Sequence, residues 1–251
     1  METTEKFTGK ADVYEKYRPE YPEAFLDDLI ARNGLTAADT VADIGAGTGK
    51  LTRQLARRGL TVAAVEPNDD MRAAAERALA GFSSVTLHKG TAEHTGLAEG
   101  SAALVTAAQA FHWFDVEGFK AECKRILKPD CPAVLVWNSR DPESDLIVES
   151  EIICQRLCPL FNGFSGGIEE STDAYNRFFR DGQYEKKTFR NDIYYDLDGF
   201  IGRHLSASYA PKQGENNYQK FNDSIKQLFV KYSSGGKVLM PSITRSYIGL
   251  V

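Results

Sequence analysis

Residues 20–138 alternate short β-branched or apolar runs with runs of helical period, and this alternation constrains the fold more than any other feature of the chain. A strand that returns through a helix comes back parallel to its predecessor, so the pattern predicts a parallel sheet with helices on both faces. Thr40–Ile44 reads as the first strand. The turn Gly45–Gly49 leads into a helix over Lys50–Arg58, whose Leu51 and Leu55 share a face and which stops at Gly59. Leu60–Glu66 is the second strand. Asn68 or Asp69 caps the next helix, where Met71, Ala74, Ala75, Ala78 and Leu79 keep a helical period until Gly81. Val85–Lys89 is the third strand, and Leu104–Ala108, apolar without alternation and so buried on both faces, is the fourth. Asp115 caps a helix that turns Phe119, Cys123, Ile126 and Leu127 inward, and Ala133–Trp137 follows Lys128-Pro129-Asp130 as the fifth strand.

Beyond Asn138 the texture changes. Asp145–Leu160 reads as an amphipathic helix, Gly163–Gly167 as a loop and Asp173–Phe179 as a short aromatic helix, together an insertion. Tyr184–Tyr195 predicts a sixth strand, Leu197–Leu205 and Asn216–Tyr232 two helices, and Lys237–Ile248 a closing strand introduced by Gly235-Gly236.

Composition narrows the class. A chain of 251 residues, 42% hydrophobic and 26% charged, fits a soluble globular protein of one large domain or of one domain with an appended cap. Its net charge of -5 gives the whole molecule no pull toward nucleic acid or an anionic membrane. The most apolar stretch, Ala102 to Phe114, is broken by Thr106, Gln109 and His112 and falls far short of the roughly 20 apolar residues that span a bilayer. Met1 to Lys10 has no hydrophobic leader core, so the expected location is cytoplasmic. Cys123, Cys131, Cys154 and Cys158 form no disulfide framework and read as reduced packing thiols. His88 and His94 lack carboxylates at ligand spacing and His204 reads as surface or packing, so no metal is expected.

Asp43-Ile44-Gly45-Ala46-Gly47-Thr48-Gly49 joins a strand to a helix, where glycines let a ligand approach backbone N–H groups; a nucleotide-like ligand is expected. Spacing separates the candidate motifs. A dinucleotide turn starting from Gly45 and Gly47 needs a glycine where Lys50 stands, and a P-loop ending at Gly49-Lys50 needs a glycine at Ile44 and a hydroxyl at Leu51. The remaining pattern, D-x-G-x-G-x-G after a strand, resembles the first motif of the class I S-adenosylmethionine (SAM)-dependent methyltransferases. That resemblance implies an α/β fold: a Rossmann-like doubly wound sheet, mostly parallel with an antiparallel last strand, plus a helical cap. It implies one domain over 1–251, with a SAM-binding core near 35–138, cap segments at 1–34 and near 139–183, and 184–251 completing the sheet.

It also implies roles. The turn Gly45, Ala46, Gly47, Thr48 and Gly49 would pass the methionine and ribose portions of SAM, Asp43 would help hold the ammonium end, and Pro67 and Met71 would belong to the same set. Glu66, ending the second strand, would accept from both ribose hydroxyls, as an acceptor-only carboxylate can; Glu66 alone would also suit the ribose of NAD. Gly90-Thr91-Ala92-Glu93 stands where relatives have G-D-A-E against the adenine. With Thr91 in place of Asp, the adenine amino group falls to Thr91, to main chain or to Glu93. Phe7 to Asp12 with Tyr14, Tyr17-Arg18-Pro19 and Tyr21-Pro22 resemble the entry segment of the small-molecule branch, methyltransferase type 11 and trans-aconitate methyltransferase-like, a likeness that covers residues 7–140. Arg18 would clamp the SAM carboxylate with its bidentate fork or serve as a surface ion-pair partner, and Tyr14, Tyr17 and Tyr21 line the entry or pack it onto the sheet.

The implied activity is methyl transfer from SAM to an oxygen, carboxylate or hydroxyl, of a small molecule, leaving S-adenosylhomocysteine. A SAM-binding regulatory or partner protein without transfer is the alternative, and a nicotinamide oxidoreductase is weakened by Lys50 and Asp43. An activated methyl group mainly requires an aligned nucleophile and a dry site; a hydroxyl wants a general base and a carboxylate none. His112, after the fourth strand at the sheet's carboxyl edge, is the base candidate, or else orients its loop. Gln109 would face the SAM ammonium or the substrate, and Tyr17, His112, Trp113, Trp137 and Tyr209 are candidate substrate contacts; Trp113 and Phe114 form a wall or anchor the loop in the core. The N/D-P-P-Y/F tetrad of amino-methylating nucleic-acid enzymes is replaced by Gln109-Ala110-Phe111-His112, and Cys131-Pro132 sits before the fifth strand, away from the expected cleft. Neither nucleic acid nor membrane is an expected partner, and the expected state is monomer or homodimer.

Overall fold

The computed structural model describes residues 19–164 and 172–251. Helix α1 (Glu23–Arg32) precedes the alternating series β1 (Thr40–Ile44), α2 (Lys50–Arg57), β2 (Thr61–Val65), α3 (Asp69–Leu79), β3 (Val85–His88), β4 (Leu104–Ala108), α4 (Val116–Ile126) and β5 (Ala133–Arg140). Local chemistry sets the boundaries: Asn68 accepts from the Met71 N–H to cap α3, and Asp115 accepts from the Gly118 N–H to cap α4. The sheet runs β3-β2-β1-β4-β5-β9-β6, with β6 at Glu185–Arg190 and β9 at Ser242–Gly249. The first five strands are parallel, and β9 lies antiparallel between β5 and β6. This is the doubly wound α/β sheet expected, mostly parallel with an antiparallel last strand. The strand order reverses between β1 and β4, the switch point where such sheets bind ligands.

Both faces are covered. Phe25, Leu26 and Leu29 of α1 and Leu51 and Leu55 of α2 pack one face, against Val41, Val62, Leu104 and Val134. On the other, α4 and α6 (Thr172–Phe178) bury an aromatic cluster. There Phe119 and Phe178 stack at 5.0 Å, and Phe111 meets Phe178 at 5.1 Å. Each such buried ring removes apolar area worth roughly 1.5–3 kcal/mol.

Three sequence expectations change. The fifth strand does not stop at Trp137: Asn138, Ser139 and Arg140 are polar, yet they pair with Thr244, Ile243 and Ser242 of β9. The run Tyr184–Tyr195 is two strands, β6 and β7 (Ile193–Tyr195), and Lys237–Ile248 is likewise β8 (Val238–Met240) and β9. Pro241 has no N–H to give to a ladder, so the pairing breaks there. Opposite it, the Asn191 N–H donates to the Ser242 carbonyl at 2.9 Å, and Asp192 Oδ1 accepts from the Ser242 N–H at 3.1 Å. The result is one antiparallel ribbon bent at 191–192 and 241, with β6–β9 in the main sheet and β7–β8 outside it.

The outer half of that ribbon joins α5 (Asp145–Leu157), α7 (Leu197–Leu205) and α8 (Tyr218–Tyr232) around a third apolar cluster, with Phe200, Phe221, Ile225 and Met240 buried. This unit draws on two stretches of chain. Residues 139–183 contribute α5 to it but send α6 to the sheet, and residues 184–251 contribute α7 and α8 as well as two sheet strands. Cys123, Cys154 and Cys158 are buried free thiols. Among the described residues no helix is long and apolar enough to cross a membrane.

Candidate active site

The turn after β1 is folded back by the sheet itself: the Gly45 and Ala46 N–H groups both donate to the Val65 carbonyl, at 2.9 and 3.0 Å. Above this turn, at the switch point, opens a cavity of about 280 Å³, near the lower end of small-molecule sites. Its wall includes Asp43, Gly45, Ala46, Gly47 and Thr48 of the turn, Glu66, Pro67 and Met71 after β2, Thr91, Ala92 and Glu93 after β3, and Gln109 and Trp113 after β4. These were all singled out by sequence, and the fold brings them to one place.

Glu66 is held for acceptance. Its side chain is buried, its Oε2 accepts from the Gly47 N–H at 2.8 Å, and its Oε1 accepts from the Asn68 N–H at 2.8 Å. Two backbone donors fix the carboxylate plane and leave lone pairs on both oxygens for further O–H donors. Burial pushes its pKa up, opposed by these two hydrogen bonds. Gly47 has φ +59°, and a Cβ there would meet open space, so the backbone conformation rather than crowding demands glycine.

Asp43 is held differently. It is 1% exposed, its Oδ2 accepts from Thr52 Oγ1 at 2.6 Å, and its Oδ1 accepts from Thr106 Oγ1 at 2.9 Å. The carboxylate thereby ties β1 to α2 and β4, and burial pushes its pKa up. Both of its oxygens are engaged with protein hydroxyls, so Asp43 braces the turn from beneath. Glu93 Oε1 accepts from the Asp115 N–H at 2.9 Å and so faces the start of α4. Gln109 stands in the left-handed region, φ 58°, with its Nε2 donating to the Asn138 carbonyl at 2.9 Å. A non-glycine residue held there marks backbone that the surrounding structure over-determines, a common feature of ligand sites.

Other expected residues are elsewhere. Gly49 is off the cavity wall; a Cβ at this position would stand 2.8 Å from Leu79 Cδ1, so the glycine serves the packing of α2 on α3. His112 is also off the wall, its ring packed on Trp113 at 4.4 Å and Trp137 at 5.2 Å. Phe111–Trp113 forms one turn of 3-10 helix, which aims successive side chains in different directions and puts Trp113, not His112, on the cavity. Trp137 is wholly buried inside the lengthened β5, and Tyr209 packs on Phe161 at 4.8 Å in the third cluster. Tyr14, Tyr17 and Arg18 lie outside the described residues.

Phe114, read as a wall residue with Trp113, and Pro19 and Tyr21 of the entry segment also line the cavity. Sequence reasoning missed the rest of the wall: Lys50, Leu51, Asn68, Ala108, Ala110, Asn138 and Arg203. Asn68 carried a legible signal as the cap beside Glu66. Tyr21 is pinned through its backbone, donating to Gln54 Oε1 at 2.9 Å and accepting from Gln54 Nε2 at 2.8 Å. Arg203, 6% exposed on α7, comes from far along the chain with no motif around it. Among the described residues no group of three or more His, Cys, Asp or Glu side chains is placed to hold a metal ion.

The profile of the methyltransferase domain family matches residues 42–135, the stretch that carries β1 to β5 and the turn. An uncharacterized methyltransferase of Mycobacterium tuberculosis (strain ATCC 25618 / H37Rv) is 42% identical over 135 residues, covering 54% of this chain and 53% of that protein. An uncharacterized methyltransferase-like protein of Schizosaccharomyces pombe (strain 972 / ATCC 24843) is 36% identical over 137 residues, covering 53% and 52%. The chain thus spans about half the length of the curated relatives it matches. A solved structure from Anaeromyxobacter dehalogenans, described as a type II methyltransferase, superposes with a TM-score of 0.67 at 23% identity, covering 93% of this chain and 98% of that one. Residues 42–135 are therefore similar to a methyltransferase domain, and the chain carries the Rossmann-like fold of the class I methyltransferases.

Proposed function

We propose that the chain is a SAM-dependent methyltransferase of the small-molecule branch that its N-terminal residues resemble, transferring a methyl group to an oxygen, carboxylate or hydroxyl, of its acceptor. The observation that carries the reading is Glu66, a buried carboxylate at the end of β2 whose plane is fixed by the Gly47 and Asn68 N–H groups beside the open turn. That arrangement fits a vicinal diol, since each oxygen keeps a lone pair for a ribose hydroxyl. Thr91, Ala92, Pro67 and Met71 supply the neighbouring wall for the adenine. SAM brings a methyl group already activated on a sulfonium, so the chain's own task is to position the acceptor and exclude water.

The polarity of the wall supports an oxygen acceptor. Its carboxylates, Asp43, Glu66 and Glu93, come from β1, β2 and the loop after β3. The side formed by β4, β5 and α7 presents Gln109, Trp113, Asn138 and Arg203, with no acid among the described residues to seat a protonated amine.

Calorimetric titration with SAM, S-adenosylhomocysteine and NADH, in wild type and Glu66→Ala, tests the reading. Both sulfur ligands should bind and NADH should not, and the variant should weaken binding by roughly 1.5–3 kcal/mol, the scale of hydrogen bonds to a charged group. A screen of acids and phenols with methyl-labelled SAM then finds the acceptor class. Failure of SAM to bind the wild-type protein sinks the proposal.

A further inference from the structure

Arg140, the last residue of β5, is 9% exposed, yet its Nε and Nη2 meet no hydrogen-bond acceptor among the described residues. Its guanidinium lies over the Phe164 ring, 3.9 Å from the centroid, a contact that recovers only part of the cost of burying a cation. The position calls for a negative charge. His204 brings none, because burial and then the charge of Arg140 hold its pKa down to about 3 and leave the imidazole neutral.

The neighbour that can bring one is Cys154. It stands on the last turn of α5, wholly buried in the third apolar cluster, and its sulfur accepts from the Cys158 thiol and the Tyr209 hydroxyl. The Cys158 hydrogen bond first, then the Arg140 charge and the Tyr209 hydroxyl, hold the Cys154 thiol below its ordinary pKa against burial and the charge of Glu151. Cys158, also buried, is pushed up by giving that hydrogen bond and by burial. One thiol is thus prepared to lose its proton and the other to keep it. The remaining cysteines are built differently: Cys123 is pushed well up by burial and by the Glu122 charge, and Cys131 is only half-buried.

We propose that Cys154 and Cys158 are a redox-active dithiol, which a peroxide converts to an intrachain disulfide across the end of α5, with Arg140 as counter-charge to the attacking sulfur. The Cys154 thiolate attacks one oxygen of hydrogen peroxide: the S–O bond forms, the O–O bond breaks, and the departing hydroxide takes up the thiol's proton as water. The Cys158 sulfur then attacks the Cys154 sulfenic acid; S–S forms, S–O breaks, and the hydroxyl leaves with the Cys158 proton as a second water. Two thiols lose two electrons and the peroxide gains them.

The local geometry permits the bond. The Cys158 N–H donates to the Cys154 carbonyl at 2.9 Å, so the residues stand one helical turn apart on one face. Such pairs have Cβ atoms about 5–6 Å apart, and a disulfide needs about 3.5–4.5 Å. Cys158 is already past the helix, at φ -116° and ψ 96°, where the chain can draw in without breaking the turns behind it. The oxidant enters by local opening of the turn that follows, where Leu160 is 78% exposed, Phe161 and Phe164 are half-buried, and the Phe161 N–H donates back to the Cys158 carbonyl at 2.9 Å.

The test is limited oxidation of the full native chain with hydrogen peroxide at neutral pH, followed by alkylation, trypsin and mass spectrometry. Trypsin cuts after Arg156, between the two cysteines, so the disulfide appears as a cross-link between peptides 141–156 and 157–177. That cross-link should form before Cys131 is oxidised, although Cys131 is the more exposed thiol, and dithiothreitol should remove it. In Cys158→Ser the sulfenic acid on Cys154 should persist and be captured by dimedone. Arg140→Met should slow cross-linking by about threefold or more while Cys131 reacts within about twofold of its wild-type rate, since a thiol that ionises less readily offers less thiolate and regains only part of that in nucleophilicity. Oxidation of Cys131 ahead of the pair, oxidation of Cys154 to its sulfinic acid with no cross-link, or a cross-link that forms only in urea overturns the dithiol. An Arg140→Met protein that keeps the wild-type melting temperature and cross-links at the wild-type rate overturns the counter-charge; if that variant does not fold, the order of reaction of Cys154, Cys158 and Cys131 in the wild-type protein still decides the proposal.

Discussion

Glu122 on α4 carries no expected contact with a ligand, yet it should control the loop that shapes one wall of the cavity. Its side chain is nearly buried and collects four donors: the Thr95 N–H at 2.9 Å, Thr95 Oγ1 at 2.5 Å, and Arg125 Nε and Nη2 at 2.8 and 2.7 Å. Those donors, Arg125 first and Thr95 next, outweigh desolvation and hold its pKa down to about 2 from an ordinary 4.5. A carboxyl group that releases its proton more readily when folded stabilises the fold fully above the unfolded value. That stabilisation is lost as pH falls through 4.5 toward 2. The separation corresponds to about 3 kcal/mol at neutral pH, and screening at Arg125, 40% exposed, lowers the expected loss in Glu122→Gln to about 2 kcal/mol. Urea unfolding of the two proteins at pH 7 should show that gap, and the gap should shrink by roughly half by pH 3. A gap that is constant with pH, or below about 0.5 kcal/mol, would refute the account of Glu122 as a charged brace. Because Thr95 directly follows the turn that the Thr91 and His94 backbone groups close, the variant should also bind S-adenosylhomocysteine more weakly, with Glu66 untouched.

Two further perturbations separate the parts of the site. Gly47→Ala and Gly49→Ala each place a side chain at positive φ, costing ~1–2 kcal/mol. Gly49→Ala adds a clash with Leu79 and should unfold at the lower urea concentration, whereas Gly47→Ala should lose more cofactor affinity; the reverse order would undo their assignment to packing and cavity. His112→Gln should lower the melting temperature through lost packing on Trp113 and Trp137 while leaving the pH dependence of methyl transfer unchanged. Disappearance of an ionisation from that profile would return His112 to the chemistry.

What was legible in the sequence is what depends on neighbours along the chain. The strands of 40–108, the caps Asn68 and Asp115 and the turn Gly45–Thr48 follow from periodicity and short-range hydrogen bonding, and each fell close to its expected place. Glu66 was legible too, because a carboxylate ending the strand next to a glycine turn has few other tasks. What was not legible depends on partners distant in sequence. Asn138, Ser139 and Arg140 look like the end of a strand until β9, more than a hundred residues later, pairs with them. That one extension converts Trp137 from a strand-end contact into core and buries Arg140 at the strand's end, over the Phe164 ring.

The same reasoning explains why the acids of the motif divided their roles. Asp43 and Glu66 read alike as carboxylates near a glycine turn, and burial pushes both pKa values up. Their donors differ in origin. Asp43, 1% exposed, is met by side-chain hydroxyls from α2 and β4 and by the Thr52 backbone, elements that only the closed sheet brings to it. Glu66 is met by backbone N–H groups of its own turn and its own loop, which leave its outward lone pairs available. A carboxylate fixed by backbone is ready for a ligand before the ligand arrives, and one fixed by threonine hydroxyls holds the turn over which that ligand would lie. Thr106→Val should therefore weaken binding indirectly, by loosening the turn and lowering stability by about 1.5–3 kcal/mol together. Glu66→Ala should weaken it with a much smaller loss of stability. Equal stability losses in the two variants would erase the distinction between brace and receptor.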